Sequence, residues 1–299
     1  MRHLHDDEIK KLEERAQEVR ELTIEALIHA GSGHTAGPLG MADIFTYLYF
    51  HALKHHPHQP NWPERDRLVL SNGHICPVLY ATMALAGYAN PADYQKRLRK
   101  FGSPYQGHPH REWLPGIETS SGPLGSGLSQ ATGMALALRM DTGSAVDQFV
   151  YCLMSDAELQ AGSTWEAAML AGKERLHNLI GVVDRNNIQI EGYTEDIMPL
   201  EPLRDKWEAW NWHVIEIDGH NFEAIHAAIG EAQAVFEKPT VIIAHTIPGK
   251  GLQMAERRFG WHGNPPGKGP EDVYTKAEQA KKMLKDIRTL GGTIRSEHE

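Results

Sequence analysis

The chain has 299 residues, 41% of them hydrophobic, and a formal net charge of −9 at pH 7. This length and apolar content allow one large α/β domain or two small ones, and the acidic balance argues against a general nucleic-acid surface while leaving room for a local basic pocket. Two cysteines make no disulfide framework, no apolar run is long enough for a membrane span, and the opening MRHLHDDEIKKLEE is unlike a signal peptide, so a cytoplasmic protein is expected.

Apolar residues at Leu12, Ala16, Val19 and Ala26 predict a long helix over about residues 7–30, ended by Gly31 and Gly33. A second helix is predicted over about 41–53. His55, His56 and His58 surround Pro57 in a polar connector without ligand geometry and read as surface. RLVLS at 67–71 predicts a short strand leading into NGH at 72–74. Residues 88–120, carrying YQGHPH and LPGIETSSG, predict an irregular but ordered loop, whose ordering cost calls for packing or a ligand. GPLGSG at 122–127 is a turn that becomes an apolar helix, with small residues Gly127, Ala131 and Ala135 allowing close backbone approach.

QFVYCLM at 148–154 and LIGVVD at 179–184 read as strands with a helix between them, and Cys152 inside the first reads as a buried thiol. HVIEID at 213–218 and TVIIAHT at 240–246 are further strands, separated by an amphipathic helix around 222–236. The alternation predicts an α/β fold with a mainly parallel β-sheet flanked by helices. The domain would span 1–270, followed by a charged, partly helical extension over 271–299.

Asp156 follows one predicted strand and Asn186 another, so two hard oxygen donors can meet at the open end of a parallel sheet, where α/β sites commonly form. A backbone carbonyl near Ile188 could add a third, which suits Mg²⁺ or Ca²⁺ better than zinc. The same positions suit ordinary caps: Asp156 for a following helix and Asn186 for a turn. GPLGSG lacks the GK[ST] ending of a nucleotide P-loop, and no strand precedes a GxGxxG fingerprint. Among the 18 histidines, His34, His74, His108 and His262 stand beside glycines in loops, where backbone can approach a ligand and imidazole can exchange protons.

The ordered motifs SGHTAGPLG at 32–40, LSNGH at 70–74, GHP at 107–109, GIETSSGPLGSG at 116–127, SDAELQAGSTWEA at 155–167, VDRNNIQIEG at 183–192, DGH at 218–220 and WHG at 261–263 together resemble the cofactor-diphosphate half of transketolases. The resemblance covers roughly residues 10–265 and implies a thiamine diphosphate-binding fold. It implies that Asp156, Asn186 and the Ile188 carbonyl hold Mg²⁺, with Ca²⁺ or Mn²⁺ as substitutes. Backbone at Ser155 and Ala157 would face the diphosphate, Gly122, Leu124 and Ile247 would contact the cofactor, and His74 and His262 would line it. The four histidines would surround the reacting carbon and the substrate hydroxyls.

The implied reaction is reversible transfer of a two-carbon ketol unit from a ketose phosphate to an aldose phosphate, in central sugar metabolism such as the pentose phosphate pathway. The family's pyrimidine-binding domain, which contributes an activating glutamate, would come from a complementary C-terminal subunit, giving an α2β2 assembly. Three departures stand out: Ser155–Asp156–Ala157 where the family has Gly–Asp–Gly, Ala161 where it carries a glutamate, and His110 where it often has another. They leave open a related transferase acting on a modified sugar, or a non-catalytic interaction paralogue. A Mg²⁺-dependent phosphohydrolase is a more distant alternative.

Overall fold

The structure is a computed structural model describing residues 3–142 and 146–289. Five strands form one parallel sheet in the order β1-β2-β3-β7-β6, where β1 is Arg67–Leu70, β2 Val150–Ser155, β3 Leu179–Arg185, β6 His213–Asp218 and β7 Thr240–His245. Every residue of β2 and β3 is buried, which explains why their sequences are apolar runs rather than alternations: both sheet faces are covered. A two-residue hairpin, β4 (Ile188–Gln189) with β5 (Gly192–Tyr193), follows β3 and was not legible in the sequence.

One face of the sheet packs against α1 (Asp6–Ala30), α3 (Ala42–Tyr47), α4 (Cys76–Leu85) and α10 (Phe222–Ala234), through residues such as Val19, Phe45, Leu79 and Ile225. The other face packs against α6 (Gly127–Thr142), α7 (Gly162–Glu174) and α9 (Leu203–Ala209), where Ala131, Ala135, Ala168 and Ala171 admit close approach and Trp207 and Trp212 fill the space beyond. The short helices α2 (Ala36–Gly40), α5 (Pro91–Arg97) and α8 (Thr194–Ile197) lie in the connections. Helix α11 (Lys276–Thr289) packs on α1, and its Met283 and Ile287 are buried with Ile24, Leu39, Ile188 and Trp261. Residues 290–299 of the expected extension lie outside the described residues.

Two local features differ from expectation. The predicted helix over 41–53 is α3 continued by a π-helical turn, Leu48–Ala52, closed by the Leu53 N–H donating to the Leu48 carbonyl. The loop 88–120 contains α5, whose start is locally encoded: Asn90 Oδ1 accepts from the Ala92 and Asp93 N–H groups, and Pro91 takes the first helical position. Among the described residues no helix is long and apolar enough to cross a membrane.

Candidate active site

The carboxyl ends of β1, β2, β3 and β7 lead into the segments that carry Asn72 and His74, Asp156, Asn186, and Ile247. The β2–β3 register sets Ser155 opposite Asp184, and the Asp156 N–H donates to the Asp184 carbonyl at 3.1 Å. Asp156 is fully buried. Its Oδ1 accepts from the Ala157 N–H at 2.7 Å, and its Oδ2 accepts from the Asn187 N–H at 2.7 Å and from Arg185 Nη1 at 3.1 Å. Burial pushes the Asp156 carboxyl up, against the opposing pull of Arg185 and these N–H groups.

Asn186 is oriented by its partners. Its Nδ2 donates to Asp184 Oδ2 at 2.8 Å, so Oδ1 is the acceptor side and receives the Ile188 N–H at 3.0 Å. Asn187 adopts a left-handed backbone, φ 62°, which turns the chain between Asn186 and Ile188. Burial, reinforced by the nearby charge of Asp156, pushes the Asp184 carboxyl up to about 7, although Thr246 and Asn186 donate to it. Among the described residues no group of three or more His, Cys, Asp or Glu side chains could hold a metal ion. The expected donors are of another kind: the Asp156 carboxylate, the Asn186 amide oxygen and the Ile188 main-chain carbonyl, hard oxygens that would suit Mg²⁺, Ca²⁺ or Mn²⁺.

Ile188 shares a buried cluster with Ala36, Leu39 and Trp261, and the segments carrying these residues bring the histidines together. Ring centroids of His34 and His74 lie 4.7 Å apart, His74 and His262 5.2 Å, and His34 and His262 5.4 Å. His108 stands on the exposed side of the group, reached because Gly73 packs so closely that a Cβ there would lie 2.5 Å from Ser121 Cβ and 3.2 Å from His108 Cδ2. Burial, with neighbouring imidazoles and Arg99 adding to it, lowers His34 to about 3; burial lowers His262 to about 4. His74 falls well below the usual range, again chiefly through burial, and His108 is lowered by burial and Arg99. Near neutral pH these rings are uncharged, each with one N–H to give and one lone pair to offer. Nδ1 of His34, Nδ1 of His262 and both amide atoms of Asn72 are buried without a protein partner. Such atoms are costly unless a ligand meets them, so the pocket fits a polar cofactor or substrate.

A buried glutamate holds the pocket floor together. Glu158 Oε1 accepts from Ser71 Oγ and from the Gly125 N–H at 3.0 Å; Oε2 accepts from the Ser155 N–H at 3.0 Å and Ser155 Oγ at 3.4 Å. Ser71 Oγ in turn receives the Gly127 N–H at 3.0 Å, an approach only glycine permits because a Cβ would lie 2.6 Å from Ser71 Cα. One carboxylate therefore joins the end of β1, the GPLGSG turn and the end of β2. Glu158 is spent on this tie, while Ala161 lies against Gly125 with no charge to offer.

The remaining expected contacts fall around this floor. The Ser155 and Ala157 N–H groups are already bonded, to Glu158 and Asp156, so neither donor is free for an anion. Gly122 has open space where a Cβ would stand, and Leu124 is exposed. The Ile247 N–H donates to His220 Nε2 at 2.7 Å, which leaves Nδ1 as the donor to Asp43 Oδ2 at 2.7 Å. Asp43 also takes a two-pronged, fully buried contact from Arg20 at 2.9 and 2.5 Å. His110 stacks on Trp113, centroids 4.4 Å apart. Glu158, Asp184, Arg185 and the Arg20–Asp43–His220 chain were not foreseen as site groups; the only available signal was their place inside or beside motifs.

The family profile described as "Transketolase, thiamine diphosphate binding domain" matches residues 12–282. The chain is 44% identical over 251 residues to the 6-deoxy-6-sulfo-D-fructose transketolase subunit SqwG of Clostridium sp. (strain MSTE9), covering 84% of this chain and 90% of that one. It is 38% identical to an apulose-4-phosphate transketolase subunit of Phocaeicola vulgatus, covering 89% of it, and 39% identical to transketolase 2 of Escherichia coli, covering 43% of it. The crystal structure of transketolase from Campylobacter jejuni superposes with a TM-score of 0.80 at 34% identity, over 94% of this chain and 46% of that one.

Proposed function

The chain belongs to the transketolase family, in its thiamine diphosphate-binding part, and on that premise we propose that it is the N-terminal subunit of a split transketolase. It would take part in moving a two-carbon ketol unit from a ketose phosphate to an aldose phosphate. The observation that carries this reading is the convergence of neutral imidazoles and partnerless buried polar atoms beside a turn bearing hard oxygen donors.

Thiamine diphosphate, when bound, supplies the electron sink for breaking and making the carbon–carbon bond. Asp156, Asn186 and the Ile188 carbonyl would hold Mg²⁺, or Ca²⁺ or Mn²⁺, against the diphosphate, which Ser155 and Ala157 would flank through atoms other than their engaged N–H groups. Gly122, Leu124 and Ile247 would bound the ring portion of the cofactor. His34, His74, His108 and His262 would donate to substrate oxygens and carry protons; uncharged rings can do both without first shedding a proton. Removal of bulk water from around these largely buried rings would strengthen each such contact.

A complementary C-terminal subunit with the pyrimidine-binding domain would complete the site in an α2β2 assembly. Supporting this, the chain covers about nine tenths of two relatives that are themselves named subunits, but less than half of Escherichia coli transketolase 2. A cytoplasmic place in central sugar metabolism, such as the pentose phosphate pathway, belongs to the same proposal. A modified sugar as substrate is the second reading, favoured by the names of the two subunit relatives, one a sulfonated ketose and one an apulose phosphate.

The test is co-purification with a complementary subunit, followed by cofactor-dependent ketol transfer across a panel of phosphorylated, sulfonated and branched sugars. Transfer confined to one class selects between the two readings. Full assembly and cofactor occupancy without any transfer would overturn both in favour of a non-catalytic role.

A further inference from the structure

Arg185 is a buried cation, 3% exposed, placed against the fully buried Asp156 carboxylate. Its Nη1 donates to Asp156 Oδ2 at 3.1 Å, while its Nη2 donates to Glu195 Oε1 at 2.6 Å and Glu201 Oε1 at 2.9 Å. The two glutamates are themselves tied to the segment after the hairpin: Glu195 accepts from the Leu200 N–H at 3.1 Å and Glu201 from the Leu203 N–H at 2.8 Å. Their side chains remain 38% and 58% exposed, against none for Asp156.

We propose that Arg185 is a positioning residue and internal counter-ion for Asp156: it holds the carboxylate in place before a divalent cation arrives, and it sets cation affinity by competing for that carboxylate. The inference rests on the reading of Asp156 as a metal ligand given above. A buried carboxylate without a positive neighbour is costly, so the guanidinium stabilises the cation-free site. An incoming divalent cation on the same carboxylate meets the like charge of Arg185 at close range, which weakens binding. Glu195 and Glu201 offer the guanidinium alternative anchors, so cation occupancy is coupled to the 194–203 segment.

The experiment is Mn²⁺ titration of the full chain by electron paramagnetic resonance, with thiamine diphosphate present, alongside thermal unfolding without either. Arg185→Met should lower the Tm of the cation-free protein yet bind Mn²⁺ about tenfold more tightly, a size typical of coupling between neighbouring sites. Arg185→Lys, which keeps the charge, should return the affinity toward the starting value. Glu201→Gln, a change at an exposed side chain, should weaken Mn²⁺ binding by leaving Arg185 more firmly on Asp156; it serves if Arg185→Met does not fold. Equal or weaker Mn²⁺ affinity in Arg185→Met, or an unchanged affinity in Glu201→Gln, overturns the inference while leaving the metal reading intact. If the starting protein binds no Mn²⁺ that Asp156→Asn abolishes, the metal reading falls and takes this inference with it.

Discussion

The oxygen-donor turn and the histidine pocket are neighbours built on opposite principles. Around Asp156, Asn186 and Glu158, nearly every polar atom is answered by the protein itself: a carboxylate meets N–H groups, an amide is oriented by Asp184, and a guanidinium balances the charge. In the histidine pocket, ring nitrogens of His34 and His262 and the whole amide of Asn72 lack any protein partner. The first region is pre-organised at a cost already met within the fold, and the second keeps its hydrogen-bonding capacity in reserve. Stability should therefore depend on the first and turnover on the second.

The largest effect that would break this contrast concerns activity. In the assembled enzyme, His74→Ala or His262→Ala should lower kcat/KM by about 10²–10⁴-fold, with the Tm of the isolated chain unchanged or raised. A large loss of Tm would mean that these rings are structural. Next, Asp156→Ala should weaken cation-dependent thiamine diphosphate binding by more than about 100-fold, measured by calorimetric titration with and without Mg²⁺. Retained binding would remove Asp156 from the ligand set.

Glu158→Ala strands donors from Ser71, Gly125 and Ser155 and should cost about 3 kcal/mol in denaturant unfolding. A loss within about 0.5 kcal/mol would show that the floor is held by packing alone.

The smallest effect is in pH dependence. His34 and His262 titrate at about 3 and about 4 when folded, against 6.5 in the unfolded chain. Their contribution to stability is complete above the unfolded value, declines as pH falls below it because the unfolded chain then binds the extra protons, and is gone once pH has passed the folded values. A His34→Asn, His262→Asn double variant should accordingly lose less Tm than the starting protein on acidification from about pH 7 to about pH 5. Parallel curves would place the acid sensitivity elsewhere.

Much of the fold was legible because it is encoded locally. VYCLMS and LIGVVDR are apolar without alternation, as strands buried on both faces must be, and Gly31 with φ 61° ends the first helix where the sequence placed the stop. The hairpin after β3 and the π-turn after α3 were not legible, since two-residue strands and one extra residue in a helical turn leave no periodic trace.

The site divides along the same line. Asp156 and Asn186 could be marked from their places at strand ends, and the histidines from their glycine neighbours. The role of Glu158 could not be read: its place in the SDAELQAG segment says nothing about direction, and the fold turns it inward to Ser71 and Gly125.

By itself the sequence determined the strand–helix alternation, the oxygen chemistry at the strand ends and the family resemblance, because period, residue type and motif order are properties of the chain. Only the tertiary structure decided which atoms are engaged and which are left over. It set Arg185 against Asp156 and spent the Ser155 and Ala157 N–H groups internally. It also left His34, His262 and Asn72 unanswered. Hydrogen-bond satisfaction and electrostatic screening depend on burial and on partners distant in sequence, and neither exists until the elements pack.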